Sequence, residues 1–247
     1  MAPEGMDIMK KTTALLLILL TASLLTACAY PSSERAENQI PYEDQLATAQ
    51  QAVERYQESK GGLLPIKTRD MDVDQFIKYP VDFSKIVPDF TAEIPSNAFE
   101  VGGIYQYVLM DVEENPTVKL VDLRVAEGIR SVNVRKSANG GRAPISEIIA
   151  DNVYKFNHEA MGFNEEPMVQ SPYSGKMLPM VITGQGDVYI DYSIDLYEAI
   201  QSYEGELEQG EDIRFILYEN SPVVPAYSLP YTIDGNGEPI FLTDEKA

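Results

Sequence analysis

Residues 103–124 read GIYQYVLMDVEENPTVKLVDLR and carry the strongest fold signal in the chain. Two runs rich in β-branched and aromatic residues, 103–111 and 117–124, lie on either side of the polar segment EENP at 113–116. Such side chains favour extended strands, and a short polar segment that contains proline favours a turn between them. The stretch therefore predicts an antiparallel hairpin.

The residues upstream predict a helix with a single apolar stripe. From Tyr42, apolar side chains recur at three- and four-residue steps between Leu46 and Tyr56, and a glycine pair at 61–62 marks the end of the pattern. One apolar stripe on an otherwise polar helix packs on a single partner surface. The combination of helix and hairpin predicts an α+β fold.

The chain is long enough for two small domains. The segment KSANGGRAP at 136–144 is small, polar and glycine-rich and ends in proline, which favours a boundary there. We predict a domain over residues 42–136 and a second over residues 144–247, each a helix packed on an antiparallel sheet.

Periodicity predicts the remaining elements. We expect a strand at 131–135, a helix at 145–161, a strand pair around the turn GQGD at 184–187, a helix at 195–203 and a strand at 213–218. Residues 178–187 and 229–238 resemble each other at an offset of 51, and both read as hairpins around glycine-containing turns. The pattern leaves open whether a hairpin was duplicated or the same turn arose twice.

The N-terminus has the layout of a secretory signal. Lys10 and Lys11 precede an apolar run at 12–25, which is shorter than the ~18–20 residues of a membrane-spanning helix. The run ends in Leu25-Thr26-Ala27-Cys28, a lipobox. We predict a signal peptide over residues 1–27, a diacylglycerol and palmitate anchor on Cys28, and a flexible tether over residues 28–41.

Two alternatives to the lipoprotein remain, a secreted protein and an uncleaved membrane-anchored protein. The start of translation is also open, because Met9 directly precedes the two lysines while Met1 begins a more acidic segment. Cys28 is the only cysteine of the chain, so its lipidation would remove the only thiol.

Composition limits the partners. The formal net charge is −20, which opposes binding to nucleic acid and to anionic surfaces. A hydrophobic content of 44% is enough for a packed core.

We assign no catalytic, cofactor or metal residue from the sequence. The single histidine, His158, begins a His-Glu pair, but the second histidine of a zinc-protease helix is absent, because position 162 is glycine. The acidic segment from Asp70 to Asp74 has the alternating carboxylates that open a calcium loop, although Gln75 replaces the turn glycine. Calcium binding there is left open.

Tyrosines are concentrated in the second half of the chain and allow two interpretations. They could line a surface for a peptide or a glycan, or they could occupy half-buried positions of a sheet, and we favour the second. The tyrosines considered are Tyr189, Tyr192, Tyr197, Tyr203, Tyr218, Tyr227 and Tyr231.

Most of the mature chain resembles a group of uncharacterised lipoproteins of spore-forming Gram-positive bacteria. The resemblance is carried by the lipobox at 25–28, GGLLPI at 61–66, YPVDF at 79–83, NAF at 97–99 and GGIYQY at 102–107. Some members are named as solute-binding proteins of ABC transporters. Residues 42–110 are also similar to the globular part of type II pseudopilins, which implies a helix on a small antiparallel sheet, although the lipobox stands where a pseudopilin has its apolar stalk.

We therefore expect a non-enzymatic lipoprotein on the outer face of the bacterial cytoplasmic membrane. Its partners are expected to be the membrane, through the lipid on Cys28, and another envelope protein or a small ligand, and not nucleic acid. A solute-binding component of an ABC transporter is the alternative, and a cell-envelope enzyme comes third.

Overall fold

The computed structural model describes residues 42–67, 69 and 73–243. It has mixed helices and small antiparallel sheets, which confirms the α+β class. Within these residues the α-helices are α1 (Tyr42–Ser59), α2 (Leu123–Ala138), α3 (Ser193–Ser202) and α4 (Phe215–Tyr218), and short 3-10 helices cover Gln75–Ile77, Phe83–Lys85 and Phe99–Val101. The strands are β1 (Tyr105–Met110), β2 (Thr117–Asp122), β3 (Ile145–Ala150), β4 (Val153–Phe156), β5 (Val169–Gln170), β6 (Met177–Leu178), β7 (Met180–Thr183), β8 (Val188–Ile190), β9 (Tyr231–Ile233) and β10 (Pro239–Phe241).

The hairpin of β1 and β2 forms as predicted and organises the first part of the fold. Its register pairs Tyr105 with Asp122 and Met110 with Thr117. The chain extends this hairpin on both sides, because Pro80 bridges Val108 of β1, and Leu120 of β2 donates its N–H to the carbonyl of Pro222 at 2.8 Å. The hairpin thus lies at the centre of a four-segment surface.

Helix α1 also forms as predicted and is attached to β2. Its stripe of Ala49, Ala52 and Val53 is buried against the hairpin. The side chain of Gln50 accepts a hydrogen bond from the N–H of Val118 at 2.7 Å and donates to the carbonyl of Pro116 at 3.0 Å. These two bonds fix the helix along the strand as well as against its face.

The strand predicted at 131–135 is wrong, since these residues lie inside α2. Asp122 ends β2 and caps the helix, because its carboxylate accepts the N–H of Arg124 at 3.0 Å. The buried positions Val125, Ile129 and Val132 then follow helical spacing. The alternation of valines at 132 and 134 resembled a strand, but Val134 is exposed.

The helix predicted at 145–161 is also wrong, since β3 and β4 occupy the segment as an antiparallel hairpin. Asn152 has φ of 56° and turns the chain between the two strands. Ile148 and Ile149, which helical spacing had placed on the same face as Val153 and Phe156, are exposed, whereas Val153 and Phe156 are buried.

The strand predicted at 213–218 is replaced by the short helix α4. Ile213, Ile216 and Leu217 are buried at helical spacing. The carboxylate of Asp212 accepts the N–H of Arg214 at 3.1 Å, which supports the turn into the helix.

Both predicted glycine-containing hairpins are confirmed, β7 with β8 and β9 with β10. Their turns have the same hydrogen bonds at the same offset. Gly186 donates to the carbonyl of Thr183 at 2.9 Å, and Gly237 donates to that of Asp234 at 3.1 Å. The two glycines have φ of 89° and 81°, a region that glycine occupies with little strain. The helix predicted at 195–203 is confirmed as α3.

The core consists of three clusters of buried side chains. One surrounds the β1–β2 hairpin, a larger one lies between α2, α3 and the sheet β3–β4–β7–β8, and a small one joins Val108 and Val121 to Val224 and Ala226. The C-terminal residues therefore pack back onto the first hairpin. The division into domains at 42–136 and 144–247 stays a prediction.

Candidate functional site

The four-stranded sheet leaves one edge open. Its order is β3–β4–β7–β8. The edge at β8 is covered, because Ile190 donates its N–H to the carbonyl of Tyr227 at 2.9 Å and bridges Ser228. Within the described residues no strand pairs with the outer edge of β3. An uncovered edge presents unpaired N–H and C=O groups to a further strand.

Strand β3 is also unusually apolar for its exposure. The side chains of Ile145, Ile148 and Ile149 are 54%, 73% and 43% exposed. Register irregularities between Ile145 and Glu147 and between Ile148 and Ala150 turn the side chains away from strict alternation. We call Ile145, Ile148 and Ile149 together with the open edge of β3 the β3 surface.

Glu147 and Asp151 place negative charge at the β3 surface. Glu147 lies opposite Lys155 of β4, but the ammonium of Lys155 forms an ion pair with Glu166 at 3.0 Å. Asp151 is exposed in the turn that follows β3. The surface therefore combines apolar side chains, free backbone groups and a local excess of acid.

A network of hydrogen bonds around Asp195 attaches α3 to the loop that precedes β6. Asp195 is 3% exposed, and its two carboxylate oxygens accept hydrogen bonds from the hydroxyls of Ser171 at 2.8 Å and Ser174 at 2.5 Å. The hydroxyl of Ser171 accepts in turn the N–H groups of Tyr173 and Ser174. This network orders the segment that carries Lys176.

Burial raises the pKa of Asp195, and the hydrogen bonds from Ser174 and Ser171 counteract this only in part. Because the pKa in the folded state exceeds that of the unfolded chain, folding favours the protonated carboxyl. The contribution of Asp195 to stability therefore rises as pH falls from neutral through its raised pKa, and it is lost as pH rises again.

We expect Asp195→Asn to lose this stabilisation on acidification. The measurement is the free energy of unfolding by urea at neutral and at mildly acidic pH, compared between wild type and variant. Ser174→Ala is the control, since it keeps the carboxyl and removes a bond that lowers its pKa, so the gain on acidification should be larger than in wild type. An equal pH dependence in wild type and Asp195→Asn would contradict this role for Asp195.

Asp74, the last residue of the proposed calcium segment, has a structural role. Its two carboxylate oxygens accept the N–H of Phe76 at 2.9 Å and the N–H of Tyr227 at 2.6 Å, and burial raises its pKa. Asp74 thereby ties the first part of the chain to the C-terminal part. Asp70 and Asp72 lie outside the described residues, and calcium binding stays a hypothesis.

The other predicted candidates are dispersed. His158 is half-buried in a turn that follows β4, and in the described part of the chain no three His, Cys, Asp or Glu side chains are grouped to hold a metal ion. Tyr192 and Tyr231 are buried, and the hydroxyl of Tyr231 donates to Asp191 at 2.8 Å. Tyr197 differs from them, since it is 50% exposed on α3.

Cys28 and the predicted signal and tether lie outside the described residues. Among the helices that the structure describes, none combines the length and apolar character needed to cross a membrane.

Neither the β3 surface nor the hydrogen-bond network around Asp195 was predicted from the sequence. The helix prediction for 145–161 concealed the β3 surface, although the β-branched run ISEIIA at 145–150 and the Asp-Asn turn after it are strand and turn signals. The Asp195 network joins residues more than twenty positions apart, and no local motif marks it.

Among the described residues, the structure defines an α+β protein whose four-stranded sheet has an open, apolar edge at β3. Comparison with known families shows that residues 42–122 match the model described as the YphF family N-terminal domain. The match covers α1, the β1–β2 hairpin and the residues between them, and it ends where α2 begins. This part of the chain is similar to a domain whose description states no activity. No curated protein and no solved structure matches the chain.

Proposed function

We propose that the chain is a lipoprotein on the outer face of the bacterial cytoplasmic membrane that binds another envelope protein at the β3 surface. The observation that carries the proposal is the open edge of β3 with its three exposed isoleucines. The lipobox at 25–28 supports the location, since it ends the apolar run at the only cysteine.

The mode of binding follows from the edge itself. An extended segment of the partner adds a strand to β3, so its backbone hydrogen bonds supply affinity and its side chains contact the isoleucines. Fully burying an isoleucine is worth about 1.5–3 kcal/mol, so Ile148 alone accounts for at least tenfold in affinity. Natural edges are often protected by lysine, proline, β-bulges or a covering element. Strand β3 has register irregularities, but it contains no lysine or proline and no described element covers it.

The negative charge of the chain favours a partner segment that carries positive charge. The net charge of −20 opposes pairing of β3 with a second copy of the chain, and Glu147 and Asp151 add local negative charge. A partner segment with lysine or arginine beside apolar residues complements this surface.

We expect a photoreactive residue at position 145 to give one discrete crosslinked product in intact cells, and Ile148→Arg to reduce its yield about tenfold, since arginine replaces the apolar contact and repels a basic partner. The measurement is the crosslinked fraction on immunoblots, with the partner identified by mass spectrometry. Because Ile148 is 73% exposed, the substitution leaves the fold intact.

Val134→Arg on α2 is the matched control, since Val134 is 61% exposed and α2 packs against β5 and against β8 at the opposite edge of the sheet. Its crosslinking yield should equal that of wild type. An undiminished product in Ile148→Arg, or an equal loss in Val134→Arg, would refute binding at the β3 surface.

A further inference from the structure

A groove of about 720 Å³ lies between α3 and the β9–β10 hairpin, and no residue of the β3 surface lines it. Its lining combines apolar, polar and charged side chains, among them Lys176, Ile194, Tyr197, Glu198, Gln201 and Glu238. We call it the α3 groove.

One wall of the α3 groove is apolar and partly exposed. Ile194 is 37% exposed and Tyr197 is 50% exposed, and both belong to the single helix α3. Tyrosine presents a flat apolar ring and a polar tip. This pairing suits a ligand that has an apolar face and hydroxyl groups at its rim.

Three polar side chains of the groove have no partner within the described residues. The side chains of Tyr197, Gln201 and Glu238 form no hydrogen bond or ion pair there. They comprise a hydroxyl, an amide that both donates and accepts, and a carboxylate that only accepts. A ligand that satisfies all three must carry several groups that donate and accept.

The charges in the groove oppose an anionic ligand. The ammonium of Lys176 forms an ion pair with the carboxylate of Glu198, and Glu238 lies in the same lining. Because the ion pair cancels the charge of Lys176, Glu238 leaves the lining with one net negative charge, which repels an anion. A neutral ligand with many hydroxyl groups can pair with these side chains, and a polycation is the competing occupant that the titration below includes.

The groove is preformed. The hydrogen bonds from Ser171 and Ser174 to the buried Asp195 attach the loop before Lys176 to α3. The ion pair of Lys176 with Glu198 adds a second connection between the same two elements. A preformed site loses less conformational entropy when it binds.

We propose that the α3 groove binds a neutral carbohydrate, with a sugar ring stacked on Tyr197 and its hydroxyls bonded to Gln201, Glu238 and the Lys176–Glu198 pair. This proposal is independent of the β3 surface, because the two sites share no residue.

Calorimetric and NMR titrations of the full chain, solubilised in detergent, test the proposal. The probes are three neutral tetrasaccharides, built of β-1,4-linked N-acetylglucosamine, β-1,4-linked glucose and α-1,4-linked glucose. We expect at least one to bind with a Kd of about 1 mM or tighter, with amide shifts confined to α3, the β9–β10 hairpin and the loop before β6. Tyr197→Ala should weaken this binding about tenfold, and Gln201→Ala by a smaller factor.

Two controls separate this site from general effects. Phe99→Ala removes another exposed aromatic ring, 61% exposed in a short helix of the first part of the fold, and Ile148→Arg alters the β3 surface. Both should bind the sugar as wild type does. Circular dichroism confirms that each variant is folded.

Binding of a neutral tetrasaccharide that Tyr197→Ala weakens would support the proposal. The proposal is overturned if no tetrasaccharide binds, if Tyr197→Ala binds as wild type does, or if a tetragalacturonate or a tetralysine peptide binds more tightly than the neutral sugars. Because Ile148→Arg is included, failure here is distinguishable from failure of the strand-addition proposal.

Discussion

Replacing Gly103 with alanine is expected to unfold the chain or to lower its melting temperature by at least about 10 °C. A Cβ atom at this position would lie 2.0 Å from the backbone carbon and oxygen of Asn97, far inside van der Waals contact. Relief requires the backbone at Asn97 to move, which is costly because this backbone is held on several sides.

Asn97 connects the hairpin to α1. Its carbonyl accepts the N–H of Tyr105 at 3.1 Å, its N–H donates to the side chain of Gln45 at 3.2 Å, and its side chain accepts the hydroxyl of the buried Tyr107 at 2.7 Å. A shift at Asn97 breaks these bonds together and leaves buried polar groups unpaired. We expect a loss of about 4 kcal/mol or more, a large part of the ~5–15 kcal/mol that stabilises a typical domain.

Gly235→Ala is the matched control. Gly235 also lies in a turn, but nothing lies within 4 Å of the Cβ position and its φ is not in the left-handed region. Its unfolding free energy should stay within about 0.5 kcal/mol of wild type. The measurement is thermal and urea unfolding followed by circular dichroism, and similar stabilities of the two variants would contradict the packing of Gly103 against Asn97.

The sequence predicted correctly those elements in which the local signal and the pattern of buried residues indicate the same structure. Helix α1 buries the stripe around Ala49 and Val53, and the three glycine- or proline-marked hairpins turn where their residues favour a turn. Tertiary packing overrode the local signal elsewhere. In α2 the cap at Asp122 and close packing of Gly128 against Val169 favour a helix over the valine-rich strand pattern.

The candidate sites could not be predicted from the sequence. Only the folded chain determines which side chains are exposed and which residues from separate elements lie close together. Three isoleucines close together in sequence normally indicate burial, yet those of β3 are exposed since the strand lies at an edge. The α3 groove brings Lys176, Tyr197 and Glu238 together from three separate elements. No spacing rule connects such residues.

Replacing Cys28 with alanine is expected to abolish incorporation of tagged palmitate completely and to release the protein from the membrane fraction. Only a cysteine can accept diacylglycerol through its sulfur, and Cys28 is the only cysteine of the chain. Two acyl chains give stable anchoring, whereas the apolar run at 12–25 is too short to span the bilayer. The measurements are metabolic labelling and membrane fractionation of cells that express the full chain.

Ser33→Ala in the predicted tether provides the matched control, and it should be labelled and retained as wild type is. The Cys28→Ala protein should retain wild-type unfolding free energy, because the change precedes the first described helix. Release without loss of stability therefore separates an anchoring defect from misfolding. Persistent palmitate label in Cys28→Ala would show another lipid acceptor and refute the anchor on Cys28. Tight membrane retention of wild type without any palmitate label would favour an uncleaved N-terminal anchor and refute the lipoprotein proposal.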